Sequence, residues 1–205
     1  MKDFLRRSPV TAVLLLAIAA AFAAETALGG STRKEVLIYL GANVPPLVLA
    51  GQWWRLFTAM FLHIGVPHLL LNGYALYQLG GLFESWMGSA RMGVVYVLSG
   101  LAGSVASLFF LREGLSAGAS GAIFGLLGAL VAVLVRRRER LTAAAKQLLV
   151  QLLMWAGINV VFGLTTPGID NAGHMGGALA GFLLGLLLRP RWERPAAMEA
   201  ATEPR

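Results

Sequence analysis

Six apolar stretches, each near the ~20 residues needed to cross a bilayer, run at about 9–28, 66–84, 92–111, 117–135, 147–164 and 171–188. All are far longer than a strand, so each predicts a helix. Between the first two lies a mixed segment, 29–65, too polar to span, with Pro45-Pro46 and the patch Trp53-Trp54-Arg55-Leu56-Phe57. Trp beside Arg predicts a piece lying in the membrane interface, rings at headgroup depth and guanidinium toward phosphate. From Arg189 onward the apolar period stops and Pro190, Pro195 and Pro204 recur, which predicts a disordered tail over 189–205. The pattern therefore predicts an all-α polytopic membrane protein, one membrane domain over 1–188 followed by that tail.

Composition agrees with a bilayer as solvent. The 205 residues are 57% hydrophobic and 13% charged, where a soluble domain carries about 25% charged residues. The net charge of +7 does not point to nucleic acid, because the basic residues sit in short clusters flanking apolar runs. Lys2, Arg6 and Arg7, Arg91, the 136–146 cluster and the 189–205 tail hold thirteen; Arg33, Lys34, Arg55 and Arg112 make four on the other side. The positive-inside rule then places both termini in the cytoplasm with six spans. The absence of cysteine excludes disulfides and thiolate metal sites. The basic start and Ala-rich 19–24 resemble a signal peptide, but the apolar run continues to Leu28 and five more follow, so it reads as a retained first helix.

This topology brings chemistry to one level. The second, fourth and sixth stretches all enter from the outer face, and His68 with Asn72, Ser120, and His174 each fall within the first two turns. At 1.5 Å per residue they share a depth of roughly 5–10 Å. Together they supply a nucleophile, a base and side-chain donors for an oxyanion, which is what peptide hydrolysis needs. An ionisable group inside a membrane is a functional-site hypothesis by default. Asp170 opens the sixth stretch and reads as an N-cap, favouring a Ser–His dyad over a triad; Glu84 at the inner end of the second reads as a loop anchor. Glycines 173, 177, 181 and 185 face glycines 118, 121, 125 and 128 as small-residue ridges, so the fourth and sixth helices can pack closely. A metal-binding channel built on His63, His68 and His174 is the weaker reading, because five residues on a helix put His63 and His68 about 140° apart.

The segments Trp54-Arg55, His63-(x)4-His68-(x)3-Asn72, Gly118-Ala119-Ser120-Gly121 and Ala172-Gly173-His174 with Gly177 and Gly181 resemble the rhomboid family of intramembrane serine proteases over about 55–185. The resemblance implies a rhomboid-like six-helix bundle with Ser120 as nucleophile and His174 as base. His68, Asn72 and the Ser120 backbone N–H would line the oxyanion hole. Trp54 and Arg55 would belong to the loop structure, His63 would bond within that loop or to water, and Glu84 would be a structural acid. Many members carry Tyr four residues after the nucleophile; Phe124 here keeps a ring for the catalytic His but no hydroxyl. The implied partners are transmembrane protein substrates and the lipid bilayer of a prokaryotic cytoplasmic membrane, with no cofactor, metal or nucleic acid. A member that only binds or sorts helices is the alternative.

Overall fold

The computed structural model describes residues 2–110 and 114–191. Arg112 and, beyond Arg191, the tail expected to be disordered lie outside the described residues. Among the described residues every regular element is helical, and the one β-type contact is an isolated antiparallel bridge between Asn43 and Ser116. The helices are α1 (Lys2–Arg7), α2 (Pro9–Ala27), α3 (Lys34–Leu40), α4 (Pro45–Leu49), α5 (Arg55–Thr58), α6 (Val66–Ala75), α7 (Gly81–Met87), α8 (Ser89–Phe110), α9 (Ser120–Val135), α10 (Ala143–Thr165) and α11 (Asn171–Leu187). α2, α8 and α10 are each long and apolar enough to cross a membrane; the piece from Arg55 to Met87, bent by 92°, adds a fourth if taken as one span, and α9 and α11 are shorter apolar helices.

α9 is apolar on every face, and such a helix belongs in the middle. Twelve of its residues, from Ala122 to Leu134, are buried, whereas α10 buries only Leu152 and Gly163. α11 lies against α9 along the glycine seam. A Cβ on Gly177 would stand 2.7 Å from the carbonyl carbon of Gly121, and one on Gly185 would stand 2.7 Å from Cα of Ala129. Gly103 of α8 closes the third side, where a Cβ would meet the Gly173 carbonyl oxygen at 2.6 Å. Backbone thus packs on backbone where lipid offers no hydrophobic drive between helices.

Three local details depart from the sequence pattern. α6 and α7 are joined by a π-helical turn, Leu76–Gly80, where Thr11 of α2 passes so closely that a Cβ on Gly80 would lie 2.9 Å from its methyl group. α9 begins at Ser120 rather than at 117, because Gly118 takes φ +143°, outside helical space. Glu84, expected to anchor a loop, instead caps a helix. It is fully buried and accepts from the Val10 N–H (3.0 Å), the Thr11 N–H (2.8 Å) and the Thr11 hydroxyl (2.7 Å). Ser8, the N-cap residue of α2, makes no side-chain capping bond, and Glu84 from α7 satisfies donors that a helix start leaves open.

Candidate active site

Ser120 is the first residue of α9 and His174 the fourth of α11. The glycine seam brings these two helix starts together, and His174 Nε2 lies 2.8 Å from Ser120 Oγ. A bare imidazole nitrogen at that distance can take the hydroxyl proton. The Phe124 ring stacks on His174, centroids 4.4 Å apart and planes 13° from parallel, and packs in turn on Trp155 of α10 at 5.8 Å. Phe124 and the seam therefore fix the imidazole plane.

The polar groups around this pair come from α6 and from the backbone. The Ile64 N–H donates to His68 Nδ1 (3.2 Å), which leaves the proton of the neutral ring on Nε2. That edge faces Ser120: a Cβ on Gly118 would lie 3.0 Å from His68 Nε2 and 3.6 Å from Ser120 Oγ. Gly118 thus leaves open the space between the two groups, and its N–H is bonded to the Ala59 carbonyl at 2.9 Å. Asn72 is buried one turn further along α6, its amide donating to the His68 carbonyl at 3.2 Å. The Ser120 N–H belongs to the first turn of α9, whose N–H groups lack intrahelical partners, and the N-cap position, Ala119, offers no side-chain bond. Ser120 Oγ, the His174 ring and the Nε2 edge of His68 therefore lie close together at the positive end of a helix, with Asn72 one turn along α6. A cavity of about 20 Å³ between Ser120, His174, Ser104 and Asp170 adjoins it, room by volume for one water.

Arg55 corrects the interfacial expectation. Trp53 and Trp54 are half exposed, but Arg55 is only 6% exposed and its guanidinium is bonded within the protein. It donates from Nη1 to the Ile38 carbonyl (2.7 Å) and the Ala42 carbonyl (3.2 Å) and from Nε to Gln52 Oε1 (2.7 Å), with Trp54 covering it at 4.6 Å. Carbonyls in the last turn of α3 and just beyond it take these bonds, and a planar fork reaches several acceptors at once. His63 and His68 are the second correction: their ring centroids are 5.1 Å apart, since His63 lies in the bend before α6 and helical spacing does not apply. Their Nδ1 atoms are both engaged by backbone, His63 with the Phe61 carbonyl at 3.1 Å, and no group of three His, Cys, Asp or Glu among the described residues is placed to hold a metal ion.

Sequence reasoning did not single out Glu25. It is fully buried in α2, and its Oε1 accepts from the His63 N–H at 2.8 Å, tying the first helix to the loop before α6. A lone acid within an apolar stretch was the available signal. In that loop, burial chiefly, helped by neighbouring His68 and opposed by the Phe61 bond, pulls the His63 imidazole down to about 4.

Comparison with known proteins converges on one family. Residues 50–191 match the family model described as Rhomboid domain. The chain is 42% identical over 154 residues to rhomboid protease GluP of Bacillus subtilis, covering 75% of this chain and 30% of that protein. It is 42% identical over 149 residues to RHOMBOID-like protein 7 of Arabidopsis thaliana, covering 72% and 47%. It is 34% identical over 150 residues to the putative rhomboid protease YdcA of Bacillus subtilis, covering 72% and 73%. The matched region thus spans less than half the length of the first two relatives and most of the third.

Proposed function

Because this chain belongs to the rhomboid family, we propose that it is an intramembrane serine endopeptidase with six spans, cutting transmembrane segments near the outer face of a prokaryotic cytoplasmic membrane. The observation that carries the reading is the 2.8 Å approach of His174 Nε2 to Ser120 Oγ at two adjoining helix starts. The depth follows from length. Sixteen residues of α9 rise about 24 Å, some 6 Å short of the ~30 Å hydrocarbon core. With its inner end at the basic cluster 136–146, the shortfall lies at Ser120, below the outer surface.

In the reaction, Ser120 Oγ attacks the scissile carbonyl as His174 takes its proton at Nε2. The tetrahedral oxyanion lies against the Ser120 N–H, the His68 Nε2–H and the Asn72 amide, which turns from the His68 carbonyl to meet it. His174 then gives the proton to the leaving amine, and water releases the acyl-enzyme by the same route reversed. A helical substrate hides its carbonyls, so the cleaved segment must unwind locally, and Gly or Pro near the cut assists. Every step uses side chains, backbone and water of the site.

The test is cleavage of a single-pass substrate by purified protein in detergent, wild type against Ser120→Ala and His174→Ala, with fluorophosphonate labelling alongside. Cleavage and labelling in wild type, lost in both variants, are expected. Equal cleavage in all three, or a wild type that neither cleaves nor labels, rejects the assignment and leaves a helix-binding relative in its place.

A further inference from the structure

Both members of the Ser120–His174 pair are followed back, by four residues each, to one carboxylate. Asp170 is the N-cap of α11, and its Oδ1 accepts from the Gly173 N–H at 2.8 Å. Capping needs nothing more. Yet Oδ2 accepts two further hydrogen bonds, one from the Ser116 hydroxyl at 2.6 Å and one from the Ser107 hydroxyl. Ser116 lies in the linker that delivers Ser120, and Ser107 is buried in α8. Three elements therefore meet on one side chain, through bonds to a charged acceptor, the strong kind.

The surroundings are built to receive this contact. Gly173 has no side chain where a Cβ would stand 2.7 Å from Asp170 Oδ2 and 2.8 Å from Ser107 Oγ. The linker is gripped on its other edge as well. Ser116 exchanges both backbone bonds with Asn43 at 2.8 and 2.9 Å, and the Asn43 amide donates to the Ser104 carbonyl at 2.9 Å. These ties are flanked by two glycines at positive φ, Gly114 at +95° and Gly118 at +143°. Glycine carries the largest conformational freedom, so the polar ties on Ser116 hold the linker that leads into α9, while the seam holds α9 itself.

We propose that Asp170 is a positioning residue: its carboxylate clasps the Ser120 linker and α8 to the start of α11 and so sets the distance between nucleophile and base. The inference rests on the protease reading of that pair. It separates from simple helix capping through Ser107 and Ser116, which take no part in the cap. In the double variant Ser107→Ala with Ser116→Ala, the Asp170–Gly173 bond and the charge persist while both ties are cut.

The experiment measures kcat, KM, the fluorophosphonate labelling rate and the thermal midpoint of the full chain in detergent. A misplacement near 1 Å costs on the order of 100-fold, so the double variant is expected to lose about 10- to 100-fold in kcat and in labelling rate, with KM and midpoint little changed. Asp170→Ala should lose at least as much, and Asp170→Asn, whose amide still caps and can donate to the two hydroxyls, should recover most of that loss. Ser116→Ala alone, the milder change, should fall between wild type and the double variant. Wild-type kcat in the double variant would reduce Asp170 to a cap and overturn the inference while the protease reading stands. Wild-type protein that labels no faster than Ser120→Ala would overturn both.

Discussion

Gly177→Ala should disable the site through displacement alone. The added Cβ would lie 2.7 Å from the Gly121 carbonyl carbon, where carbon atoms settle at about 3.5 Å or more. Neither side of that contact is a flexible side chain, so α11 must move off α9 by roughly 0.8 Å or more. Gly177 is one turn beyond His174 and Gly121 is next to Ser120, so the shift reaches the dyad nearly undiminished. The 2.8 Å approach opens to about 3.6 Å, beyond hydrogen-bond reach, and a misplacement of this size costs on the order of 100-fold in rate. Gly185→Ala is the comparison on the same seam. Its Cβ meets the Ala129 carbonyl oxygen at 2.5 Å and Cα at 2.7 Å, a milder clash than that of Gly177 on the Gly121 carbonyl oxygen. It also lies eleven residues beyond His174, about 16 Å along the helix, where a small tilt absorbs it. Both variants should lose about 1–3 kcal/mol to overpacking, partly offset by the better helix propensity of Ala. Substrate cleavage and fluorophosphonate labelling, read beside thermal midpoints, should show similar midpoints and at least a 10-fold gap in activity. Gly177→Ala at wild-type rate, or Gly185→Ala as impaired as Gly177→Ala, would refute the reasoning.

Glu84→Ala removes the borrowed cap of α2 and strands buried donors, so it should cost about 3 kcal/mol, read as a lower unfolding midpoint; a variant as stable as wild type would show that α2 needs no such partner. Arg55→Lys cannot reach Gln52 and the Ile38 and Ala42 carbonyls together and should cost about 2 kcal/mol in the same measurement, without abolishing cleavage. His63, lowered to about 4 in the fold from about 6.5 unfolded, gives stability that is complete above pH 6.5. It is lost as pH falls toward 4, since only the unfolded chain then takes up the proton. His63→Ala should flatten that part of the stability–pH curve, and an unchanged slope would exclude His63 as its source.

The parts of the fold legible in sequence are those written in local periodicity. Apolar stretches of about 20 residues announce helices wherever they occur, and the four-residue glycine ladder on 173–185 foretells the α9–α11 seam because close backbone approach admits almost nothing else. Arg55 was misjudged because composition gives a residue's neighbours in the chain, not its direction. Beside two tryptophans it looks interfacial, but the carbonyls it serves belong to α3 and the residues just after it, seventeen and thirteen residues earlier. Helical spacing separates His63 from His68, but the bend before Val66 brings their rings together. Asp170 was read correctly as a cap and incompletely as a contact, since its hydroxyl partners lie 63 and 54 residues away and serine is too common to attract notice.

The two helix starts at the site are finished differently, and the difference fits the division of labour in the proposed reaction. α11 is closed: the Asp170 carboxylate satisfies the Gly173 N–H and neutralises the positive end of the helix beside His174. α9 is open: Ala119 at its N-cap position makes no side-chain bond. Its first-turn N–H groups keep their capacity beside Ser120. Negative charge appears next to the nucleophile in the tetrahedral state, where open donors and an uncompensated helix end stabilise it. Positive charge appears on the base, where a carboxylate four residues away is the better neighbour. A capping side chain at 119 would satisfy the donors needed for the oxyanion, and an uncapped α11 would place a positive helix end beside a forming imidazolium. Exchanging the two ends would leave the helix packing intact while working against both charges that the reaction creates.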